Sequence, residues 1–499
     1  MKTLVLALFF TLNLFGTTLH LSISSSPSKL NPLISTDSAS SQIGEWIFSS
    51  LLTYDKNGEI KKELAKSYQF IDDTTVVFNL RDDVTWSDGV EFTAEDVLFT
   101  FNLINSPKIF TPYKNQFRYV KSVNVTDKYT VEIKYKEPYF KALETWMMDI
   151  VPKHKLENEK EIMTSSFNQK PIGTGKYTID GFEVSKDIIL NANKTYFEKE
   201  PNIKKIVYHF MPDPSTEFLM LKSGKLDVGS LSPLQMKRQI DADFQKRFNF
   251  FEKISNSYTY LGFNHNNPKF QNSKVREAIS LAIDRQEMVD ILFFGHGQIC
   301  NGPFMPGTFA YDENITSPKQ DIKKAKQLLK DAGYDEKNPF TFEIVTNSNN
   351  QTRVNAIEIM QHQLKKVGVI VKIKTMEWQA FLNTVVMPRK FEAVVLGWSL
   401  GLMPDAYSIW HSEGSKKGGF NFVSYKNIRV DELIKKAEKT VDRQKLGVIY
   451  KEIYRNIVKD NPYLFLYIPN SITVVDKKIQ NVSLSKLGVM HNVIDWIKP

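Results

Sequence analysis

The residues best suited to hold a ligand gather in the run "FEAVVLGWSLGLMPDAYSIW" (391–410), where Gly397-Trp398-Ser399 ends a strand of Ala393, Val394, Val395 and Leu396. A tryptophan face can bind by burial and stacking, and glycine beside it lets a backbone approach closely. No charge follows until Asp405. That carboxylate comes after Pro404 and before "AYSIW", where it suits a helix N-cap as well as a ligand contact. The chemistry expected here is non-covalent capture. Catalytic patterns are missing from the chain: there is no G-x-S-x-G, no H-E-x-x-H, and Cys300 stands without a plausible partner. Paired carboxylates, which would serve a secreted hydrolase, cannot be recognised from spacing. Of 8 histidines, none shows His-x3-His spacing. His20 near the first strand and His491 near the last are expected in one lobe, where they could meet as a pair of metal ligands, and His411 is a weaker candidate.

Alternating helix and strand patterns must position that run. "FTFEIVT" and "VIVKIKTMEW" read as strands of an α/β lobe, and "QDIKKAKQLLKDAGY" as a helix with Ile322, Ala325, Leu328 and Leu329 inward and Gly333 ending it. Two extended aromatic stretches, "SYTYLGFN" (257–264) and "PYLFLYIPNSITVV" (462–475), bracket this lobe. A chain that enters and leaves a domain by paired strands makes a hinge. Upstream, Thr93 to Asp96 forms a capping box for a helix with Val97, Phe101 and Ile104 buried. Asp88-Gly89 is a turn between that helix and a Trp86 expected to be exposed. Gly173-Thr174-Gly175 reads as a tight turn.

A length of 499 residues implies two or three lobes. The net charge of +9 comes from scattered residues, 65 basic against 56 acidic, and does not suggest nucleic-acid binding. "MKTLVLALFFTLNLFG" carries one lysine and an apolar run too short to span a bilayer, so residues 1–16 read as a secretory signal, cut near Gly16 or Thr18. No cysteine lies near that point, which leaves the mature chain unlipidated, exported and periplasmic.

"LRDDVTWSDGVEFTAEDVLFTFNLI" resembles a signature of the extracytoplasmic solute-binding proteins of family 5, the peptide- and nickel-binding components of ABC importers. "PIGTGKYTI" (171–179), "YLGFNHNNPKFQNSKVREAISLAIDR" (260–285), "KAKQLLKDAGY" (324–334) and "VDELIKKA" (430–437) match in order, from about Leu19 to the C-terminus. The resemblance implies an α/β, two-lobed periplasmic-binding-protein fold of the Venus-flytrap kind (type II, cluster C), with an extra small subdomain in the first lobe. The expected division is 17–256 and 476–499 for lobe I, with the small subdomain at about 45–170, and 257–475 for lobe II. It also implies a monomer that encloses a small peptide and delivers it to a permease and ATPase complex in the inner membrane, with no cofactor.

Placing the family's contact positions on this chain puts Thr36-Asp37-Ser38 along the ligand backbone, Tyr113 on it from the small subdomain, and Trp378 with Gly397, Trp398 and Ser399 on the second lobe. Tyr258 and Tyr467 are expected to reach in from the hinge. Peptide binders of the family carry an aspartate shortly after Gly-Trp that pairs with the ligand's amine. Gly401 stands there, or Leu402 if the loop is one residue shorter, with Asp405 the nearest carboxylate. Nickel-chelate binding and oligosaccharide binding on tryptophan platforms therefore stay open, as does a chemoreceptor-docking role.

Overall fold

The strand Tyr463–Asp476 shows how one chain supplies both lobes. Its first half pairs antiparallel with Ser257–Phe263, with Leu464 opposite Leu261. Its second half, from Asn470, pairs antiparallel with Phe248–Ile254 and with Val228–Leu231. The changeover follows Pro469, whose nitrogen has no hydrogen to donate to a ladder. The strand thus changes its pairing partners at 470. The structure, a computed structural model, describes residues 18–416 and 419–499; the secretory signal at 1–16 lies outside them.

In the second lobe the sheet continues from Ser257–Phe263 to Ala393–Ser399, Thr341–Asn347 and Ile370–Met376. The last two run parallel, joined across the helix Gln351–Lys365. Ser273–Ala282, Arg285–Phe293 and Ile322–Asp331 complete its core, where Val275, Ala278, Ile279, Ala325 and Leu329 are buried. Gly333 ends the third helix at φ 91°, the left-handed position expected of it. The first lobe is built on Thr18–Ile23, Lys205–Phe210, Ile188–Ala192 and Tyr177–Ile179 in that spatial order. An antiparallel sheet of Ala65–Asp72, Thr75–Leu80, Thr130–Tyr135 and Val120–Asp127 forms the small subdomain.

The capping box of the helix Ala94–Asn105 is present in both directions between Thr93 and Asp96. Trp86 corrects the expectation of exposure: it is 0% exposed and packs edge-on against Phe92 at 6.1 Å. The turn at Asp88-Gly89 folds the strand end back so that the indole points inward, where its area is worth most. Gly173 and Gly175 do more than turn the chain. A Cβ on Gly173 would lie 1.8 Å from the Ile47 carbonyl oxygen, and the Gly175 amide donates to that oxygen at 2.8 Å. Only bare backbone fits against the end of the helix Ser38–Ile47.

Candidate functional site

Two cavities meet at the loop after Trp398. The first, of about 1130 Å³, runs past the hinge residues Ile254–Asn256 and the second-lobe turn Met305–Phe309. The second, of about 930 Å³, runs into the first lobe past Ser35, Trp46 and Tyr113. Tyr54, Glu144, Gly401, Leu402 and Met403 line both. The loop 401–403 therefore stands between the lobes. Its entry is tied to the hinge stretch where the Leu400 amide donates to Asn256 O at 2.7 Å.

Gly401 is exposed, and a Cβ placed on it would meet nothing nearer than Met403 O at 3.9 Å. The space around position 401 is therefore open. Asp405 does not swing into it. Its Oδ2 accepts from Lys141 Nζ at 2.7 Å and its Oδ1 from the Tyr407 amide at 3.0 Å. Burial works against the Asp405 charge, but Lys141, the Tyr407 amide and Arg118 together outweigh it and hold the carboxyl below the usual aspartate range. Each oxygen thus has a partner within the protein, Lys141 on one and the Tyr407 amide on the other.

Trp398 is half-buried in a line of stacked rings. Phe422 lies 5.5 Å away at 12° and Tyr260 6.4 Å away at 13°, and Tyr260 stacks on Tyr463 at 3.7 Å. Its wall is made of protein aromatics, and it borders the 401–403 loop without lining either cavity. Gly397 is needed for packing: a Cβ there would lie 2.8 Å from Tyr258 O and 3.0 Å from Arg353 Nη2. Ser399 is exposed and pairs with Ser257.

Tyr113 lines the second cavity and donates its hydroxyl to Ser35 O at 2.5 Å, so the small subdomain is tied to the 35–38 turn. Within that turn Thr36 and Ser38 are exposed, and Asp37 caps the helix Ser38–Ile47 by accepting from the Ser40 amide at 2.8 Å. Partial burial opposes the Asp37 charge, yet hydrogen bonds from Ser28 and Ser40 keep its carboxyl low. These three residues flank the cavity without lining it. Trp378 packs on Phe381 at 6.2 Å and is also outside both linings.

Tyr258 and Tyr467 are corrected outright. They are 0% and 2% exposed, packed on Phe465 and Phe293, because their strands lie inside the sheet. Neither reaches the cleft. The pairing of His20 with His491 also fails: His20 stacks on His209, with Nδ1 and Nε2 3.0 Å apart. The parallel strands Thr18–Ile23 and Lys205–Phe210 bring those two rings together, whereas His491 lies in the second cavity wall. His411 is 2% exposed and its Nδ1 accepts from the Glu413 amide. Among the described residues no group of three His, Cys, Asp or Glu is arranged to hold a metal ion.

The site also contains residues that no local motif announced. Arg443 Nη1 lies 3.2 Å from Met403 Sδ, and its other terminal nitrogen pairs with Glu144 across the cleft. Glu45, Glu63 and Asp149 come from three separate segments to one wall of the second cavity.

The family model for "Bacterial extracellular solute-binding proteins, family 5 Middle" matches residues 59–420. The chain belongs to that family. This family 5 protein is 32% identical over 492 residues to the oligopeptide-binding protein AppA of Bacillus subtilis, covering 94% of this chain and 89% of AppA. The structure of AppA in complex with a nonapeptide superposes with a TM-score of 0.81 at 31% identity, over 97% of this chain and 99% of that one. NikZ from Campylobacter jejuni, in complex with Ni(L-His), superposes with a TM-score of 0.82 at 28% identity, over 96% and 99%. The family 5 member therefore has the two-lobed, mixed α/β fold of binding proteins. Among its described residues no helix is long and apolar enough to cross a membrane.

Proposed function

We propose that the protein is the substrate-binding component of an ABC importer and captures peptides in the cleft between its lobes. The observation that carries this reading is the size and placement of the two cavities. At about 1130 and 930 Å³, joined at residues 401–403, they exceed together the ~300–1,000 Å³ of small-molecule pockets. A peptide uses such length, and AppA holds a nonapeptide on the same fold. Ligand bridging Tyr113 and the Gly401–Met403 loop would shift an open–closed equilibrium, and the closed form is the one presented to a permease and its ATPase. The reading includes export to the periplasm and action as a monomer.

Nickel–histidine is the second reading, favoured by His491 in the cavity wall and by the similarity to NikZ. Thermal-shift titration of the purified protein against a peptide library, Ni²⁺ with histidine, and oligosaccharides separates these. Peptides are expected to raise Tm in a concentration-dependent way. Stabilisation by nickel–histidine alone, or by oligosaccharides alone, overturns the peptide reading.

A further inference from the structure

The small subdomain and the second lobe grip each other beside the cleft through contacts in which no ligand takes part. The strand Thr130–Tyr135 runs on into residues 136–148, which fold back on their own sheet. The Tyr135 hydroxyl donates to Ala142 O, and Trp146 Nε1 donates to that hydroxyl at 2.9 Å. The bend between these anchors carries Phe140 into the second lobe. Its amide donates to Glu438 O at 3.0 Å, at the end of the helix Ile428–Glu438. Its ring lies 6.4 Å from Tyr450 of the helix Arg443–Asp460, and Tyr450 is backed by Phe304 and Phe309 at 5.2 and 5.3 Å. Phe140 is 4% exposed and Tyr450 2%, so this contact is as dry as a domain core.

Ion pairs surround the anchor on the same boundary. Lys141 pairs with Asp405 at 2.7 Å, Arg118 with Glu438 at 3.0 Å, Lys439 with Glu137 at 2.6 Å, and Arg443 with Glu144. In each pair one partner belongs to the small subdomain and the other to the second lobe. The pairs are partly open to water, so each contributes little and salt weakens it. The buried phenylalanine supplies most of the strength, because removing a large aromatic from water outweighs a pair of that kind. Glu144 and Arg443 also line the first cavity, so the grip forms a side wall of the cleft. The small subdomain is tied to the first lobe as well, by the Tyr113 hydroxyl on Ser35 O and the Leu30 amide on Asn168 O at 2.7 Å. The lobes cannot part without undoing the grip.

We propose that Phe140 and its surrounding ion pairs form a clasp that holds the two lobes closed before ligand arrives. Were closure to depend on ligand alone, the closing contacts would lie in the ligand. Here they lie in the protein, and opening the cleft must expose Phe140 and part four ion pairs. The clasp is common to the empty and the loaded closed forms. It therefore governs how often the cleft opens to admit or release ligand, and it stands whether that ligand is a peptide or a nickel chelate.

The test is small-angle X-ray scattering of protein freed of co-purified ligand by reversible unfolding in guanidinium, with native mass spectrometry to check that it is empty. Empty wild type is expected to scatter as the clasped structure does. Phe140→Ala should lower the ratio of closed to open molecules by about tenfold or more and enlarge the radius of gyration. Phe110→Ala, at a phenylalanine 87% exposed in the same subdomain, should change nothing. If Phe140→Ala melts without a cooperative transition, Arg118→Glu with Lys141→Glu tests the clasp from its rim. Each new carboxylate then faces Glu438 or Asp405, and the double variant should open with its core intact. Empty wild type that is already open overturns the clasp, as does a closed wild type that neither variant enlarges. Neither result touches ligand capture, which the thermal-shift titration reads separately.

Discussion

Lys141 Nζ sits 2.7 Å from Asp405 Oδ2, joining the small subdomain to the loop that follows Trp398. The pair is 21% and 34% exposed, and Arg118 with Glu438 at 3.0 Å lies beside it on the same divide. Asp405 is therefore part of how the lobes meet. A double-mutant cycle of Lys141→Ala and Asp405→Ala should give a coupling of about 1 kcal/mol, the upper end for a pair still partly open to water. Because the folded carboxyl is held below its unfolded value of 3.8, its contribution is present above that pH and is lost as pH falls through the lower folded value. Chemical unfolding followed from pH 7 to pH 3 should show a smaller acid loss in Asp405→Asn than in wild type. An unchanged preference for free-amine over N-acetylated peptides in that variant is also expected.

Gly401 leaves room for the carboxylate it lacks. With no atom closer than 3.9 Å to a Cβ there, Gly401→Asp should fold normally and gain affinity for short free-amine peptides by about fivefold or more. Calorimetric titration with matched free and N-acetylated tripeptides measures it. A variant that folds but shows no free-amine gain removes position 401 from the ligand's reach.

Trp398 is wedged between Phe422 and Tyr260 and borders the cavity loop. Trp398→Ala should lose about 2–3 kcal/mol of stability, below the usual cost of a fully buried tryptophan because the ring is half-buried. Denaturant unfolding reads this, and peptide titration should show a smaller loss, transmitted through the 399–403 loop. A large affinity loss at unchanged stability would place the indole face against ligand instead.

Gly173 meets the helix end where no side chain fits. Gly173→Ala, with its Cβ 1.8 Å from Ile47 O, should destabilise by more than about 3 kcal/mol or prevent folding. Soluble yield and Tm check it, with Gly401→Ala as the tolerated control.

Much of this protein was determined locally. The capping box at Thr93–Asp96, the left-handed Gly333 and the alternation of strands with the helix Gln351–Lys365 depend on near neighbours, so sequence spacing suffices to read them. The hinge strands are legible as two extended aromatic stretches, and the two-lobed plan follows from the chain length and the resemblance to family 5. What the tertiary structure decided is direction and company. Tyr258 and Tyr467 turn inward because their strands close against other layers, and Trp86 because its loop folds back onto Phe92, which alternation cannot foresee. His20 meets His209 through a parallel pairing of distant strands, and Asp405 meets Lys141 across 264 residues. Glu45, Glu63 and Asp149 show the same limit at the site itself: three carboxylates from separate segments line one cavity only where the chain folds back on itself.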